Sequence, residues 1–302
     1  MILEGAMVYS NLLVLLSLGL TITYITTSVP NFAQGSFAII GSYFALILFY
    51  FFGIHPYLAI PIVFIFGGFV GILCYLFVLK PLIKRGASIV AAMIATLALD
   101  LILLGIIGAV SDTVENITRK SAKKFIFTIY DFEIYNFSGV LLVSTAVICL
   151  TLIFLWLLLF RTRFGIALRA SMENPMLAEV MGVDVEKTRL FSWFLSSALA
   201  AIAGAILPFR QEIVPLTGGI IIVSIFSASI VGGLGSIFGA LLGGYLIGFS
   251  ESFITFSLSS ALGTEIMLYS RVISLLILVI MLLLAPSGVV EGVKRWSKSF
   301  LT

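Results

Sequence analysis

Charge is scarce in this sequence. Only 10% of its 302 residues are Asp, Glu, Lys or Arg, whereas 61% are hydrophobic. A chain with so few charges cannot cover a water-facing surface of this size, so it is not a soluble protein. The 17 basic and 14 acidic residues give a formal net charge of +3, and they are scattered along the chain. A nucleic-acid-binding protein is therefore excluded, and no nucleic-acid partner is expected.

Histidine and cysteine are nearly absent. The single histidine, His55, and the two cysteines, Cys74 and Cys149, offer no metal cluster, and both cysteines lie in apolar stretches. An intramembrane serine protease needs a histidine beside its nucleophile, and an aspartyl enzyme needs a second aspartate to share a proton with Asp100. The phosphate-binding Gly-x-x-x-x-Gly-Lys-Ser/Thr pattern is also missing. We therefore expect no catalytic residues, no cofactor and no ATP hydrolysis by this chain.

Long apolar runs dominate the sequence instead. A helix needs roughly 20 apolar residues to cross a hydrocarbon core of about 30 Å. The sequence predicts an all-α, polytopic helical membrane protein that forms a single transmembrane domain over residues 1–302. About eight membrane segments are predicted, at 7–29, 36–53, 56–79, 87–110, 139–160, 190–208, 219–250 and 267–285.

The distribution of basic residues predicts the orientation. Lys and Arg concentrate at 80–85, 161–189 and 294–298, which we assign to the cytoplasm. The polar stretch 111–138 carries balanced charges and is predicted to be extracytoplasmic. Counting crossings from these loops puts the N-terminus outside. The C-terminus lies inside only if one apolar segment folds back.

The segment 219–250 is the candidate for that fold. The glycine-rich run Val231–Ser236 splits it into halves of about fourteen residues, each too short to span. We predict a re-entrant hairpin that enters from outside; the alternative is one long, kinked helix whose glycines allow close packing. Irregular backbone at that depth is tolerated where protein buries it or a watery cavity adjoins it. The candidate pathway residues here are Gly232, Gly233, Gly235 and Ser236.

The apolar pattern is also interrupted directly after the first span. Pro30 removes a backbone donor, and the side chains of Asn31, Gln34 and Ser36 can replace lost partners, so these three residues also become pathway candidates. The run Gly35–Tyr43 is echoed by Gly235–Tyr245. The echo is consistent with paired broken helices in two halves of a transporter, and equally with the small residues common on any packed transmembrane face.

Three charged residues lie in or beside apolar segments. Asp100 needs a partner or an aqueous cavity, so it either lines the pathway or fixes helix packing. Glu251 and Arg271 fall near segment ends, and we expect them to reach the interface with their long side chains and to serve a structural role.

The basic loop 161–189 is predicted to fold. Phe164–Ala170 is compatible with a helix. Asn174 followed by Pro175 is typical of the start of a second helix, and Gly182 is expected to end that helix. Two short amphipathic helices would present Met172, Met176, Leu177 and Met181 to a partner groove. The alternative is a solvated connector.

Three motifs, taken together, resemble a known family. Asn31–Gly35, the loop from Arg163 to Val183 and the run Ile230–Gly239 are similar to the permease subunit of the high-affinity branched-chain amino-acid ABC importer, of the LivH type. The likeness covers nearly the whole chain and extends to Pro286–Gly288. It implies a multi-pass permease of the prokaryotic plasma (inner) membrane. The implied partners are a second homologous permease, two cytoplasmic ATP-binding subunits and an extracytoplasmic amino-acid-binding protein.

The resemblance also implies a role for the basic loop, which in such importers docks a short helix into a groove on the ATPase. The implied coupling residues are Arg163, Gly165, Arg169, Glu173, Asn174, Ala178, Met181 and Gly182. The run Ala178-Glu179-Val180-Met181-Gly182 departs from the general permease pattern, and Phe238 stands where relatives often have proline. Branched-chain or other hydrophobic amino acids are the implied substrate. Urea, short amides and simple sugars remain alternatives, as does a stand-alone ion-coupled carrier.

Overall fold

The computed structural model describes residues 2–135, 137–263, 269–285 and 288–289 and shows an almost entirely helical chain. Within these residues, seven helical stretches are long and apolar enough to cross a membrane, which confirms the predicted fold class. The helices are α1 (Ile2–Thr27), α2 (Gln34–Phe52), α3 (Pro56–Cys74, continued by a π-turn over Tyr75–Leu79), α4 (Lys80–Lys84), α5 (Ile89–Thr118), α6 (Gly139–Arg161), α7 (Arg163–Glu173), α8 (Pro175–Val180), α9 (Val185–Ile206), α10 (Thr217–Gly232), α11 (Ile237–Leu262) and α12 (Ser270–Leu284).

The polar stretch 111–138 differs in part from its prediction as a loop. Helix α5 continues through Ser111 to Thr118 before the chain leaves the helix. A 3₁₀ turn over Thr128–Tyr130 and a two-stranded antiparallel ribbon, β1 (Glu133–Ile134) and β2 (Phe137–Ser138), follow. Hydropathy marks where lipid contact ends, whereas a helix can extend beyond the bilayer into water. The helix end therefore lies later than the apolar run predicted.

Helices α1 and α9 are the most deeply buried spans, at 89% and 83% of their most apolar windows. Small residues allow their neighbours to approach closely. A Cβ added to Gly204 of α9 would lie 1.7 Å from the Ala38 carbonyl oxygen of α2. On the other side, a Cβ at Gly244 of α11 would lie 2.8 Å from the Val14 Cα of α1. Backbone-to-backbone contact therefore joins α2 to α9 and α11 to α1.

The glycine-rich segment forms a hairpin, so the kinked-helix alternative is wrong. The prediction that the hairpin is re-entrant is also wrong, because its second helix is long and apolar enough to span the membrane. Helix α10 ends at Gly232, the chain turns through residues 233–236, and α11 packs back along α10. The glycines make this possible, since a Cβ at Gly239 would lie 2.2 Å from the Gly232 carbonyl oxygen. The prediction that both halves are too short to span is wrong for the second half. Helix α10 has 16 residues, but α11 has 26 and reaches about 39 Å.

The connecting segments gather at two opposite ends of the bundle. At the end that we call the N-terminal face, Phe125 N–H donates to the Ile213 carbonyl at 3.2 Å, and Ser138 N–H donates to Glu4 at 3.3 Å. At the opposite end, the loop face, Lys80 pairs with Glu186, and Arg189 donates to the Thr26 carbonyl. This grouping agrees with the loops predicted to share a side. The assignment of one face to the cytoplasm stays a prediction.

The turn at 233–236 lies at the loop face, and so does the end of α12. A Cβ at Gly288 would lie 2.6 Å from the Gly233 Cα, which places the chain after α12 beside this turn. The basic residues Lys294, Arg295 and Lys298, on which the predicted cytoplasmic C-terminus rests, lie outside the described residues, as do Pro286 and Ser287.

Candidate functional site

Residues 28–33, between α1 and α2, form a stretch of irregular backbone inside the bundle, which we call the first interruption. The Gln34 side-chain amide donates to the carbonyls of Leu16 and Ser196, each at 3.4 Å, in the middle of α1 and α9. Leu16 lies eleven residues before the end of α1 at Thr27, a rise of about 16 Å. Residues 28–33 therefore return from the end of α1 toward its middle without forming a helix.

Side chains supply the hydrogen bonds that this backbone lacks. Asn31 accepts from Ala33 N–H at 3.1 Å, and the Ser196 hydroxyl donates to Gln34 at 3.1 Å. Thr96 of α5 accepts from Phe32 N–H and donates to the Pro30 carbonyl, both at 3.3 Å. Asn31 and Gln34 are fully buried in these contacts. Both side chains therefore hold the interruption together from within the protein.

Ser36 and Asp100, two predicted pathway residues, meet directly. The Ser36 hydroxyl donates to Asp100 Oδ1 at 2.6 Å, joining the first turn of α2 to the middle of α5. Ser36 is buried, but Asp100 is only partly buried. Its α5 neighbours Leu97 and Leu101 are exposed. This face of α5 therefore carries a carboxylate in the middle of a hydrophobic surface.

The second interruption is the turn that joins α10 to α11. Gly232 is buried against Gly239, and Gly233 adopts a φ of 101°, which disfavours any residue with a Cβ. The Ser236 hydroxyl caps α11 by accepting from Gly239 N–H at 3.1 Å. Gly235 is exposed at the tip.

Helix α10 connects the two interruptions. Near its start, a Cβ at Gly35 would lie 2.2 Å from the Gly218 carbonyl oxygen. Further along, the Phe226 ring stacks on Phe32 with 4.7 Å between centroids. The helix then ends at Gly232. A shift of α10 along its axis would therefore move the contacts of both interruptions.

The basic loop folds into two short helices, as predicted, and the solvated-connector alternative is wrong. Thr162 caps α7 by accepting from Gly165 N–H at 3.0 Å. Asn174 caps α8 by accepting from Leu177 N–H at 3.1 Å, with Pro175 in the first turn. The chain then leaves the helix at Gly182, which has a φ of 86°. We call residues 163–182 the knob.

The knob has a packed side and an open side. Gly165 lies against the end of α6, where a Cβ would be 2.2 Å from the Leu158 carbonyl oxygen, and Ala178 is buried. The Arg169 guanidinium lies 5.2 Å from the centre of the Phe160 ring. Arg163 and Glu173 are exposed. The described large apolar side chains that face outward are Ile166 (61% exposed), Met176 (81%), Leu177 (60%), Val180 (83%) and Met181 (77%).

An apolar cluster attaches the knob to the transmembrane helices. Leu168 packs with Leu158 and Leu159 of α6, and Phe164, Phe191 and Ile237 pack against the same cluster. Ile237 is the first residue of α11, directly after the second interruption. The exit from the knob is also fixed, because Lys187 N–H donates to Asp184 at 3.0 Å. This hydrogen bond holds the pKa of the Asp184 carboxyl below its usual range.

Sequence reasoning missed one polar cluster. Glu251 was expected to reach the membrane interface, and this is wrong: it is only 3% exposed. Its Oε1 accepts from Tyr9 at 3.0 Å and from Arg271, and its Oε2 accepts from Ser224 at 2.8 Å and from Ser274. The residues come from α1, α10, α11 and α12. We call these five side chains the ion-pair cluster.

The sequence held one usable signal for this cluster. Glu251 and Arg271 are opposite charges in successive apolar segments, and intramembrane charges usually pair. The apolar segment was taken to end at residue 250, so Glu251 was placed at an interface. In the structure it lies in the middle of α11, which runs on to Leu262.

The sequence matches the family described as "branched-chain amino acid transport system / permease component" over residues 2–285. The chain belongs to this permease family. The match spans both interruptions, the knob and the ion-pair cluster. It also supports an amino-acid-transport permease in the membrane rather than an enzyme.

Individual relatives agree with this assignment. The chain is 63% identical to the probable branched-chain amino acid transport permease protein LivH of Methanocaldococcus jannaschii, over 99% of this chain and 94% of that one. It is 26% identical to the high-affinity branched-chain amino acid transport system permease protein BraD of Pseudomonas aeruginosa, over 91% and 90% of the two chains. The solved structure of PsaBC from Streptococcus pneumoniae in complex with a Fab has a similar fold, with a TM-score of 0.52, 14% identity and 95% and 92% coverage.

The ion-pair cluster yields a stability prediction. Glu251→Gln removes the carboxylate and leaves Arg271 buried without a counter-charge, which typically costs about 3–5 kcal/mol. The double variant Glu251→Gln/Arg271→Gln removes both charges and should lose less than the single variant. Thermal unfolding of the detergent-purified protein measures both.

The matched control is Lys124→Gln, which breaks an exposed pair with Glu212 at 2.9 Å and should change stability by about 1 kcal/mol or less. A single Glu251 variant as stable as this control would show that the ion-pair cluster does not hold α1, α11 and α12 together.

Proposed function

We propose that this chain is the permease subunit of an ABC importer for branched-chain or other hydrophobic amino acids. The observation that carries the proposal is the 63% identity, over 99% of the chain, to a protein named as a branched-chain amino acid permease. In this proposal, the chain forms half of the translocation pathway in a prokaryotic plasma membrane. A second homologous permease forms the other half, two ATPases bind on the cytoplasmic side, and an amino-acid-binding protein delivers substrate from outside.

The knob is the proposed contact with an ATPase. Among its described residues, the knob exposes five large apolar side chains at one end of the bundle, a surface that a complementary groove would remove from water. The loop face also carries the basic residues Lys80, Lys84, Arg163 and Arg189, which favours the cytoplasmic side. The N-terminus would then lie outside. Force applied to α7 would reach Ile237 through the apolar cluster around Leu168.

The two interruptions are the proposed moving parts of the pathway. Asn31 and Gln34 position the first interruption from within, while the Ser36–Asp100 pair presents a partly exposed carboxylate at membrane depth. An ionised group at that depth needs water or a protein partner. We therefore propose that this face of α5 turns toward the pathway between two permeases rather than toward lipid. Residues 232–236 would transmit the movement of the knob to α10.

The complete complex tests the function. A tagged version of this chain, purified from its native membranes, should bring the ATPases and the second permease with it. In proteoliposomes containing the binding protein, the complex should accumulate radiolabelled leucine only when ATP reaches the ATPases. Accumulation of ribose or urea in place of leucine would contradict the substrate. Accumulation of leucine by this chain alone, without nucleotide, would contradict the ABC mechanism.

The knob has its own test. Leu177→Asp places a charge on the surface proposed to enter the ATPase groove and should reduce both ATPase co-purification and leucine uptake, by roughly tenfold or more. The control is Ile129→Asp, an equally drastic change at an exposed residue of the N-terminal face, which should leave ATPase co-purification unchanged.

Gly182→Ala provides a second test of the knob. Alanine at this positive φ strains the end of α8 by about 1–2 kcal/mol and should lower uptake. Gly86 also has a positive φ, 70°, with open space around it, so Gly86→Ala imposes the same strain outside the knob. Equal effects of the two alanines, or full coupling in Leu177→Asp, would refute the coupling role.

Asp100 tests the pathway. Asp100→Asn keeps a hydrogen-bond acceptor for Ser36 but removes the negative charge. The maximal uptake rate should fall by about tenfold, because a hydrogen bond to a charged group contributes about that factor. Asp112→Asn, three turns further along α5 in an exposed pair with Lys123, is the matched control and should transport normally. Full transport by Asp100→Asn would limit Asp100 to helix packing.

A further inference from the structure

A cavity of about 450 Å³ opens beside the ion-pair cluster, and none of the candidate pathway residues named above lines it. It lies between α1, α11, the start of α12 and the segment after α9. Its polar lining includes Arg210, Glu251 and Arg271, and its apolar lining includes Ile2, Ala6 and Phe256. The cavity therefore combines charged groups with a hydrophobic wall on a single chain.

Arg210 is the unexplained group in this lining. Its guanidinium lies over the Tyr9 ring, 4.4 Å from the ring centre. Within the described part of the chain, no carboxylate or carbonyl pairs with it. A guanidinium has five N–H donors in a planar fork, which suits a carboxylate or phosphate better than any other partner.

Glu251 does not supply the missing acceptor. Both of its oxygens are already occupied, by Tyr9 and Arg271 at Oε1 and by Ser224 and Ser274 at Oε2. Among the described residues, the lining thus holds two guanidinium groups and one carboxylate, an excess of one positive charge. An anionic group that enters the cavity would balance this charge.

A second donor beside the cavity is also unsatisfied. The Nε of Arg271 is buried and has no acceptor among the described residues, although its Nη1 donates to Glu251 and Tyr9. The Ser252 and Thr255 hydroxyls belong to the same lining, and they too are buried without a partner in the part of the chain that the structure describes. Buried polar atoms without partners cost free energy unless a ligand or water satisfies them.

We propose that this cavity binds the carboxylate of a small amphipathic ligand, with Arg210 as the direct contact. Under the proposed function, on which this inference rests, the ligand is the amino-acid substrate on its way through the permease. The carboxylate would accept a bidentate pair of hydrogen bonds from Arg210, and the aliphatic side chain would lie against Ile2, Ala6 and Phe256. The ion-pair cluster would hold Arg271 and Tyr9 in place behind it.

Binding to the purified complex, without the binding protein, tests the site. Radiolabelled leucine bound to the complex in nanodiscs should be displaced by 4-methylpentanoate, which keeps the carboxylate and lacks the amine. It should resist 3-methylbutylamine, which keeps the amine and lacks the carboxylate. Equal displacement by the two, or by the amine alone, would overturn the proposal without any mutation.

The variants give an independent measurement. Arg210→Gln should weaken leucine binding by about tenfold or more, the loss expected for a charge-assisted bidentate contact. Arg210→Lys keeps the charge without the fork and should lie between Arg210→Gln and the wild type. Arg119→Gln removes an exposed arginine from the same face and should bind normally. Wild-type binding by Arg210→Gln would overturn the proposal.

Two further outcomes are distinguishable. If the variants bind leucine normally but lose a response to phosphatidylglycerol in the nanodisc, the cavity is a lipid-phosphate site and the proposal is wrong. If the wild-type complex takes up leucine with ATP but Arg210→Gln transports like Arg119→Gln, this inference fails alone. If the wild-type complex does not transport leucine at all, the proposed function fails first.

Discussion

The requirement that every polar group within a bilayer finds a partner inside the protein governs this structure. No water competes for hydrogen bonds in the hydrocarbon core, so an unpaired backbone group there costs several kcal/mol. The chain nevertheless departs from helical geometry at residues 28–33, well within the bundle. It can do so because Asn31, Gln34, Thr96 and Ser196 replace the missing backbone partners. The same requirement explains why Glu251 has four hydrogen-bonding neighbours.

Close backbone packing is the second constraint, and it serves the first. Lipid tails are as apolar as leucine, so helices in a membrane associate through close contact and hydrogen bonds rather than through a hydrophobic driving force. Gly204 and Gly244 bring α2 and α11 against the two central helices. At the same contacts Ser42 donates to the Gly204 carbonyl at 2.6 Å, and Ser17 donates to the Ala240 carbonyl at 3.0 Å. Small residues thus let neighbouring helices share polar groups.

These contacts give the proposed coupling a physical route. The knob touches the membrane helices through a compact apolar cluster, and that cluster includes the first residue of α11. Helix α10 then packs against both the hairpin turn and the first interruption. An element with two alternative positions is what allosteric transmission requires, and a short helix between two irregular segments is suited to that role. The chain itself would supply no chemical energy; it would convert movement at the loop face into altered contacts along the pathway.

The sequence alone determined the features that depend on local composition. Apolar run length fixed the helical membrane class, glycine content located the turn at 233–236, and the Asn174-Pro175 pair with Gly182 located the ends of α8. The distribution of basic residues also indicated which loops share a side of the membrane. These features follow from a residue's own conformational preferences or from its preference for lipid or water, so the neighbouring residues in the chain suffice to predict them.

Only the tertiary structure decided which distant residues meet. Glu251 is separated by 242 positions from Tyr9 and by 20 from Arg271, and no local pattern says that they share one hydrogen-bonded cluster. The full length of α11, the burial of Asn31 and Gln34, and the pairing of Ser36 with Asp100 depend likewise on how the helices pack. The physical reason is that the partner of a buried polar group is chosen by proximity in space, and helix packing creates that proximity.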